Sequence, residues 1–170
     1  MNLRLNHFLP LLLAGAILTA ATPARVNSQS RRISTDELAQ TSEVIAHGKV
    51  RETKSEWDAS ASRIRTRVTL TVDEYLKGGG GGTMDVYVPG GEVGSVGEVY
   101  SHAAKFSKDE DVVVFAGKDR KGRYRISGGS QGKFTVTRDE KTGRQIVSHY
   151  WTLDDFKGRI NRAVQNRGRR

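Results

Sequence analysis

Cysteine is absent from all 170 residues, which excludes disulfides, thiolate metal sites, cysteine nucleophiles and a cysteine-linked lipid anchor. Long apolar runs are missing beyond the first segment. Even there Pro10 interrupts a run shorter than the roughly 20 residues needed to cross a bilayer. The four histidines, His7, His47, His102 and His149, show no His-x-His or His-Glu-x-x-His spacing, so any metal site has to be assembled from distant segments. They read as surface or turn residues, and no metal or cofactor is implied. Acid is in deficit: 19 carboxylates face 28 lysines and arginines, a formal charge of +9 with a pI near 10. That balance favours acidic partners without saying anything about fold.

What is present begins with a segment that reads as a secretory signal peptide, residues 1–24. Arg4 and His7 precede an apolar stretch from Phe8, and small residues follow up to Ala24, the expected cleavage point, with Ala21 as the alternative. Only Arg4 is charged in this segment, so the basicity belongs to the rest of the chain. The expectation is a secreted or periplasmic protein with no membrane span after cleavage. Export without cysteine fits bacteria better than a eukaryotic secretory pathway.

The strongest pattern in the remainder is the alternation over Arg63 to Leu76. Ile64, Val68, Leu70, Val72 and Leu76 share one face, while Arg63, Arg65, Arg67, Asp73 and Tyr75 share the other. A period of two is a half-buried strand, here long enough to bend around a barrel. Val44 to Val50 predicts a first strand in which Gly48 signals a bulge or a close backbone approach. The polar residues Glu52 to Ser62 read as the loop between these two strands, and Gly78 to Gly82 as another loop. Met84 to Val88 predicts a third strand, ended by Pro89-Gly90-Gly91, and Glu92 to Asp111 an irregular loop of functional length. The unbroken apolar run Val112 to Ala116 predicts a central strand covered on both sides. Further strands are expected at Arg123 to Ser127, Lys133 to Thr137 and Arg144 to Tyr150, the last two forming a hairpin around Asp139 to Gly143.

Two helices frame the strands. Ser34-Thr35-Asp36-Glu37 is a capping box opening a short helix to about Thr41. Thr152 and Asp155 open a second, whose Leu153, Phe156, Ile160, Ala163 and Val164 recur at helical spacing and predict one face laid on the barrel. The expected organisation is a flexible leader at 25–33, a barrel domain at 34–151, a C-terminal helix at 152–165 and a basic disordered tail at 166–170. The expected core is Ile64, Val68, Leu70, Val72, Val86, Val88, Val112, Val114, Tyr124, Ile126, Phe134 and Val136.

Motifs of catalysis fail on context. Gly128-Gly129-Ser130-Gln131-Gly132 has the spacing of a nucleophile elbow, but a strand pattern follows where a helix is required, so it reads as a turn. Lys77 and the glycines after it lack the Lys-Ser or Lys-Thr that closes a phosphate-binding loop. Asp73, Glu74, Asp109, Glu110 and Asp111 offer paired carboxylates, though solvated strand ends explain them equally well. The chain therefore reads as non-catalytic, with a small secreted hydrolase as the alternative. One feature with chemical content remains. Arg63, Arg65 and Arg67 recur about 7 Å apart along one strand face, close to the charge spacing of a phosphate or sulfate polymer, and Arg123 and Arg125 can add to them from a neighbouring strand. These five are the candidate anion-binding residues. The expected partner is an acidic polymer or envelope component, or an extracellular protein. The export signal argues against nucleic acid, and aromatic interleaving is limited to Tyr75 and Tyr87.

Taken together, the short helix, Ser42 to Val50, the long strand ending Glu74-Tyr75-Leu76-Lys77-Gly78, then Val86-Tyr87-Val88-Pro89-Gly90-Gly91, Phe106, Asp111 to Phe115 and Gln131-Gly132-Lys133-Phe134 resemble a group of exported bacterial proteins of unknown function. These in turn resemble the OB-type barrel of the tissue inhibitors of metalloproteinases and the netrin modules. The resemblance implies a mainly β fold, a small antiparallel OB-like barrel with a short N-terminal helix and an amphipathic C-terminal one. It also suggests a protease-associated or inhibitor-like role. The animal inhibitors reach the catalytic zinc through a disulfide-anchored N-terminal cysteine, so that mechanism does not transfer to this chain.

Overall fold

The computed structural model describes residues 31–60, 62–148 and 151–167. The expected signal peptide, most of the leader, His149, Tyr150 and residues 168–170 lie outside the described residues. Helix α1 (Thr35–Thr41) leads into strands β1 (Val44–Trp57), β2 (Ile64–Lys77) and β3 (Thr83–Pro89). The small hairpin β4 (Gly91–Val93) and β5 (Val96–Glu98) follows, then β6 (Asp111–Lys118) and β7 (Tyr124–Ile126). A 3-10 turn at Gly129–Gly132 leads to β8 (Lys133–Arg138), β9 (Gln145–Ser148) and β10 (Trp151–Thr152), and helix α2 (Leu153–Arg167) ends the described chain.

The protein is mainly β, and its sheet closes on itself. Five strands in the order β1-β2-β3-β7-β6 form a ring because β6 pairs back to β1, with Val44 opposite Ala116 and Lys49 opposite Asp111. β6 is paired on both edges, to β1 on one side and to β7 and β8 in succession on the other, as its apolar run predicts. Every residue from Val112 to Ala116 is buried. The barrel is not antiparallel throughout: β7 leaves β6 by a tight turn and comes to rest alongside β3 in the same direction, so β3–β7 is parallel.

Alternation sorts side chains into two cores. Inside the ring lie Ala46, Val50, Val68, Leu70, Val86, Val88, Val112 and Val114, with Val72, Tyr124 and Ile126 packed against them. Outside it, Ile45, Val113 and Phe115 are covered by Leu38 of α1 and by Leu153, Phe156 and Ile160 of α2. Phe134 and Val136 belong to this second core rather than to the interior. Phe134 stands edge-on to Phe115 with ring centroids 5.5 Å apart and meets Phe156 at 4.8 Å. Burying an aromatic side chain of this size is among the larger single contributions to stability.

Helix ends follow their caps. Ser34 Oγ accepts from the Glu37 N–H at 3.1 Å, although the Glu37 carboxylate turns to Arg31 instead of completing the box. Thr152 Oγ1 accepts from the Asp155 N–H, and α2 continues to Arg167, beyond residue 165. Residues 31–33 of the expected leader are anchored: Gln131 accepts from the Ile33 N–H and donates to the Arg31 carbonyl.

Three expectations are corrected. Glu52 to Trp57 is not loop but the outer half of β1, paired with β2 up to Trp57 opposite Ile64; its polarity reflects exposure, since a ribbon projecting from the sheet has little to bury. The alternation of β2 also does not run unbroken to Leu76. His47 stands opposite Glu74 and Gly48 opposite Val72, so Asp73 is an extra residue, a β-bulge. The bulge reverses the faces beyond it, sending Tyr75 to the interior core and Leu76 to the helix-covered one. Gly48 makes this possible: a Cβ there would sit 2.2 Å from the Thr71 carbonyl oxygen. The irregular loop after β3 also contains the β4–β5 hairpin.

Candidate anion-binding face

The helices cover only part of the ring. Arg63 stands just before β2, and the outward side chains that follow are Arg65 and Arg67 on β2, Asp85 and Tyr87 on β3 and Arg125 on β7, a face that neither helix protects. Register aligns them in a transverse row: Lys54 of β1 opposite Arg67, Arg67 opposite Tyr87, and Tyr87 opposite Arg125. Adjacent strands lie roughly 4.8 Å apart, so Arg67 and Arg125 flank Tyr87 at a separation of about 10 Å. One row along β2 and one across the strands therefore meet at Arg67.

The cations differ in how they are held. Arg65 lies 3.6 Å from Asp58 and Arg67 3.6 Å from Asp85, loose ion pairs with both guanidinium groups about a third exposed. Such pairs contribute ~1 kcal/mol or less and yield readily to a competing anion. Arg123 is committed elsewhere, with two of its nitrogens on Asp119 Oδ2 and its guanidinium over the Tyr87 ring at 5.4 Å. The Arg123 backbone N–H is the first reason why the Asp119 carboxyl falls to about 2; burial works against this, and the Arg123 side chain and the Lys121 N–H add to it. Arg63 donates to the Tyr100 hydroxyl at 3.3 Å, and that hydroxyl donates to Glu98. Arg63, Arg125 and Lys54 are exposed and have no carboxylate partner among the described residues.

Two grooves flank this face. One of about 130 Å³ lies among Arg63, Arg65, Tyr87, Pro89, Tyr100 and Arg125. The other, about 270 Å³, continues past Tyr87 and Tyr100 to Ala103, Ile126 and Gly129. Tyr100, from the loop after β5, lines both. The arrangement offers fixed positive charges beside two aromatic rings, which suits a chain of anionic groups separated by flat or apolar units.

Of the sequence candidates, Arg63, Arg65, Arg67 and Arg125 share this face and Arg123 borders it through Tyr87. Lys54 and Tyr100 were missed. Lys54 sits in a segment read as loop, and Tyr100 has no periodic context; the unrecognised signal for Lys54 was the alternation of Lys54 and Glu56 with Thr53 and Ser55. Ser130 lies in an exposed turn before β8, as expected. His102 is exposed, but His47 corrects the expectation of surface histidines: it is buried, with Nε2 2.8 Å from Asp111 Oδ1. No family model matches the chain, and no curated protein is similar enough to count as a relative.

Proposed function

We propose that this protein is an exported, non-catalytic binding module that engages an anionic polymer, such as an acidic polysaccharide or another envelope component, through the β2–β3–β7 face. The observation that carries this is Lys54 standing directly across the ladder from Arg67. Like charges at opposite positions weaken a sheet, and a negative ligand would relieve the repulsion of this pair beside exposed Arg63 and Arg125. The OB-type resemblance to metalloproteinase inhibitors and netrin modules supports a binding role and belongs to the same proposal, as does export by the N-terminal signal. A hydrolase is the second reading, resting on the His47–Asp111 pair. His47 Nδ1, where a nucleophile would be activated, has no partner among the described residues.

Contacts to a polyanion release counterions, so binding weakens steeply with salt. Wild type, an Arg63→Ala/Arg67→Ala/Arg125→Ala variant and a control lacking Arg138, Lys141 and Arg144 carry matched net charges for the two variants. On a sulfated polysaccharide resin the face variant is expected to elute at clearly lower salt than the control. Its salt dependence should flatten by up to about one unit of slope per arginine removed. Identical elution of the two variants overturns the proposal, because net charge alone would then account for retention.

A further inference from the structure

A second feature lies at the bulge, on the helix-covered side of the ring. We infer that His47, Asp73 and Asp111 form a binding site for a divalent first-row transition ion, with Zn²⁺ as the natural probe. One ring nitrogen of His47 and one carboxylate oxygen from each aspartate lie within 4.8 Å of one another. Three strands supply them: β1 the histidine, β2 the bulged aspartate, β6 the third ligand. The bulge is what brings Asp73 there, since as an extra residue it has no opposite number on β1, and Gly48 keeps the strands close enough to maintain it. Bulges of this kind often re-aim a side chain at a functional position.

Two of the donor groups are already oriented towards each other, and the third is without another partner among the described residues. The His47 side chain is 7% exposed and aimed at the cluster through Nε2, and its Nδ1 is buried without a partner; ligation uses the Nε2 lone pair of the neutral ring, with the remaining N–H on Nδ1. Asp111 is oriented from behind, its Oδ2 accepting from Gln145 Nε2 at 3.1 Å, the kind of outer contact that holds ligating carboxylates in place. Asp73 makes no hydrogen bond or ion pair among the described residues, although a second carboxylate lies beside it. Lys49, the nearest cation by register, makes no ion pair with either aspartate. One imidazole and two carboxylates suit Zn²⁺ or Mn²⁺, whereas Ca²⁺ and Mg²⁺ prefer an all-oxygen shell. Asp73 is exposed, which leaves the ion's remaining positions open to water or to an anionic ligand.

Calorimetric titration of the full chain with Zn²⁺ after chelator treatment tests this, with Co²⁺ absorption as a second readout of coordination. One ion per chain is expected, raising the melting temperature. Asp73→Asn should abolish saturable binding and the Co²⁺ spectrum; because Asp73 is exposed and unbonded, its metal-free melting curve should match wild type. Gln145→Ala should weaken affinity roughly 10- to 100-fold, and Glu140→Gln, at an exposed turn, should change nothing. Absence of saturable binding in wild type, or Asp73→Asn binding as tightly as wild type, overturns the assignment. The polysaccharide test of the arginine face is independent of either result.

Discussion

The outer surface of one closed sheet is treated in two opposite ways. Over β1, β6 and β8 the outward residues are Ile45, Val113 and Phe115, and two helices are laid across them, tied to each other by Asp36 and Arg159 at 2.9 Å. Over the first half of β2 and over β3 and β7 the outward residues are Arg65, Arg67, Asp85, Tyr87 and Arg125, and neither helix is laid across them. Both regions sit on the same interior core, so the difference owes nothing to the barrel itself. Apolar outward residues are covered from within the chain; charged ones stay open to solvent.

Substitution on each side should separate these roles. Phe115→Ala removes a fully buried ring in contact with Phe134 and Phe156 and is expected to cost about 3–5 kcal/mol, measured by denaturant unfolding. Arg67→Ala on the open side should cost under ~1 kcal/mol, because its ion pair is loose and solvated. Equal losses would mean that the open face is structural after all. Gly48→Ala, at the seam between the two regions, forces a methyl group against the Thr71 carbonyl and should cost about 1–3 kcal/mol. A variant as stable as wild type would show that the strands can separate there without penalty.

The smallest effect concerns acid. The Asp119 carboxyl falls from its ordinary 3.8 to about 2 in the folded protein, chiefly through the Arg123 backbone N–H. A depressed folded value stabilises above the unfolded value and is lost as pH falls through the folded one. The melting-temperature gap between wild type and Asp119→Asn should therefore be full above pH 3.8 and vanish towards pH 2. A gap that persists undiminished at the acid end would assign it to turn geometry and not to charge.

Much of this architecture is legible in residue order because strands and helices carry their periods openly. The Val112 to Ala116 run signals a strand covered on both sides, and the Leu153 to Val164 spacing signals the helix that covers it. The Asp73 bulge is nearly invisible because even-numbered apolar residues continue past it, from Val72 to Leu76, while the true faces have exchanged. Gly48 is its only trace, and it lies on the partner strand. The arginines of β2 are readable as one face, but not the carboxylates that temper them, since Asp58 and Asp85 come from other segments and meet them only through the register. His47 is missed for the same reason: a lone histidine in a strand acquires its meaning from Asp111, which the ring closure brings beside it.

That closure also orders events in time. β1 and β2 are joined by a short connection and zip locally, and β3 follows through the glycine loop, so these strands can pair on a microsecond scale. The β1–β6 contacts join Val44 to Ala116 and Lys49 to Asp111 across most of the domain, and their chain entropy has to be surrendered before any contact rewards it. The shutting of the ring is therefore expected to be the slow step in folding, which would show as destabilising β1–β6 substitutions that mainly slow the folding rate. Until it shuts, the edge of β1 from Val44 to Lys49 lacks its β6 partner, and an unpaired edge of this kind is where two unfinished chains are expected to meet.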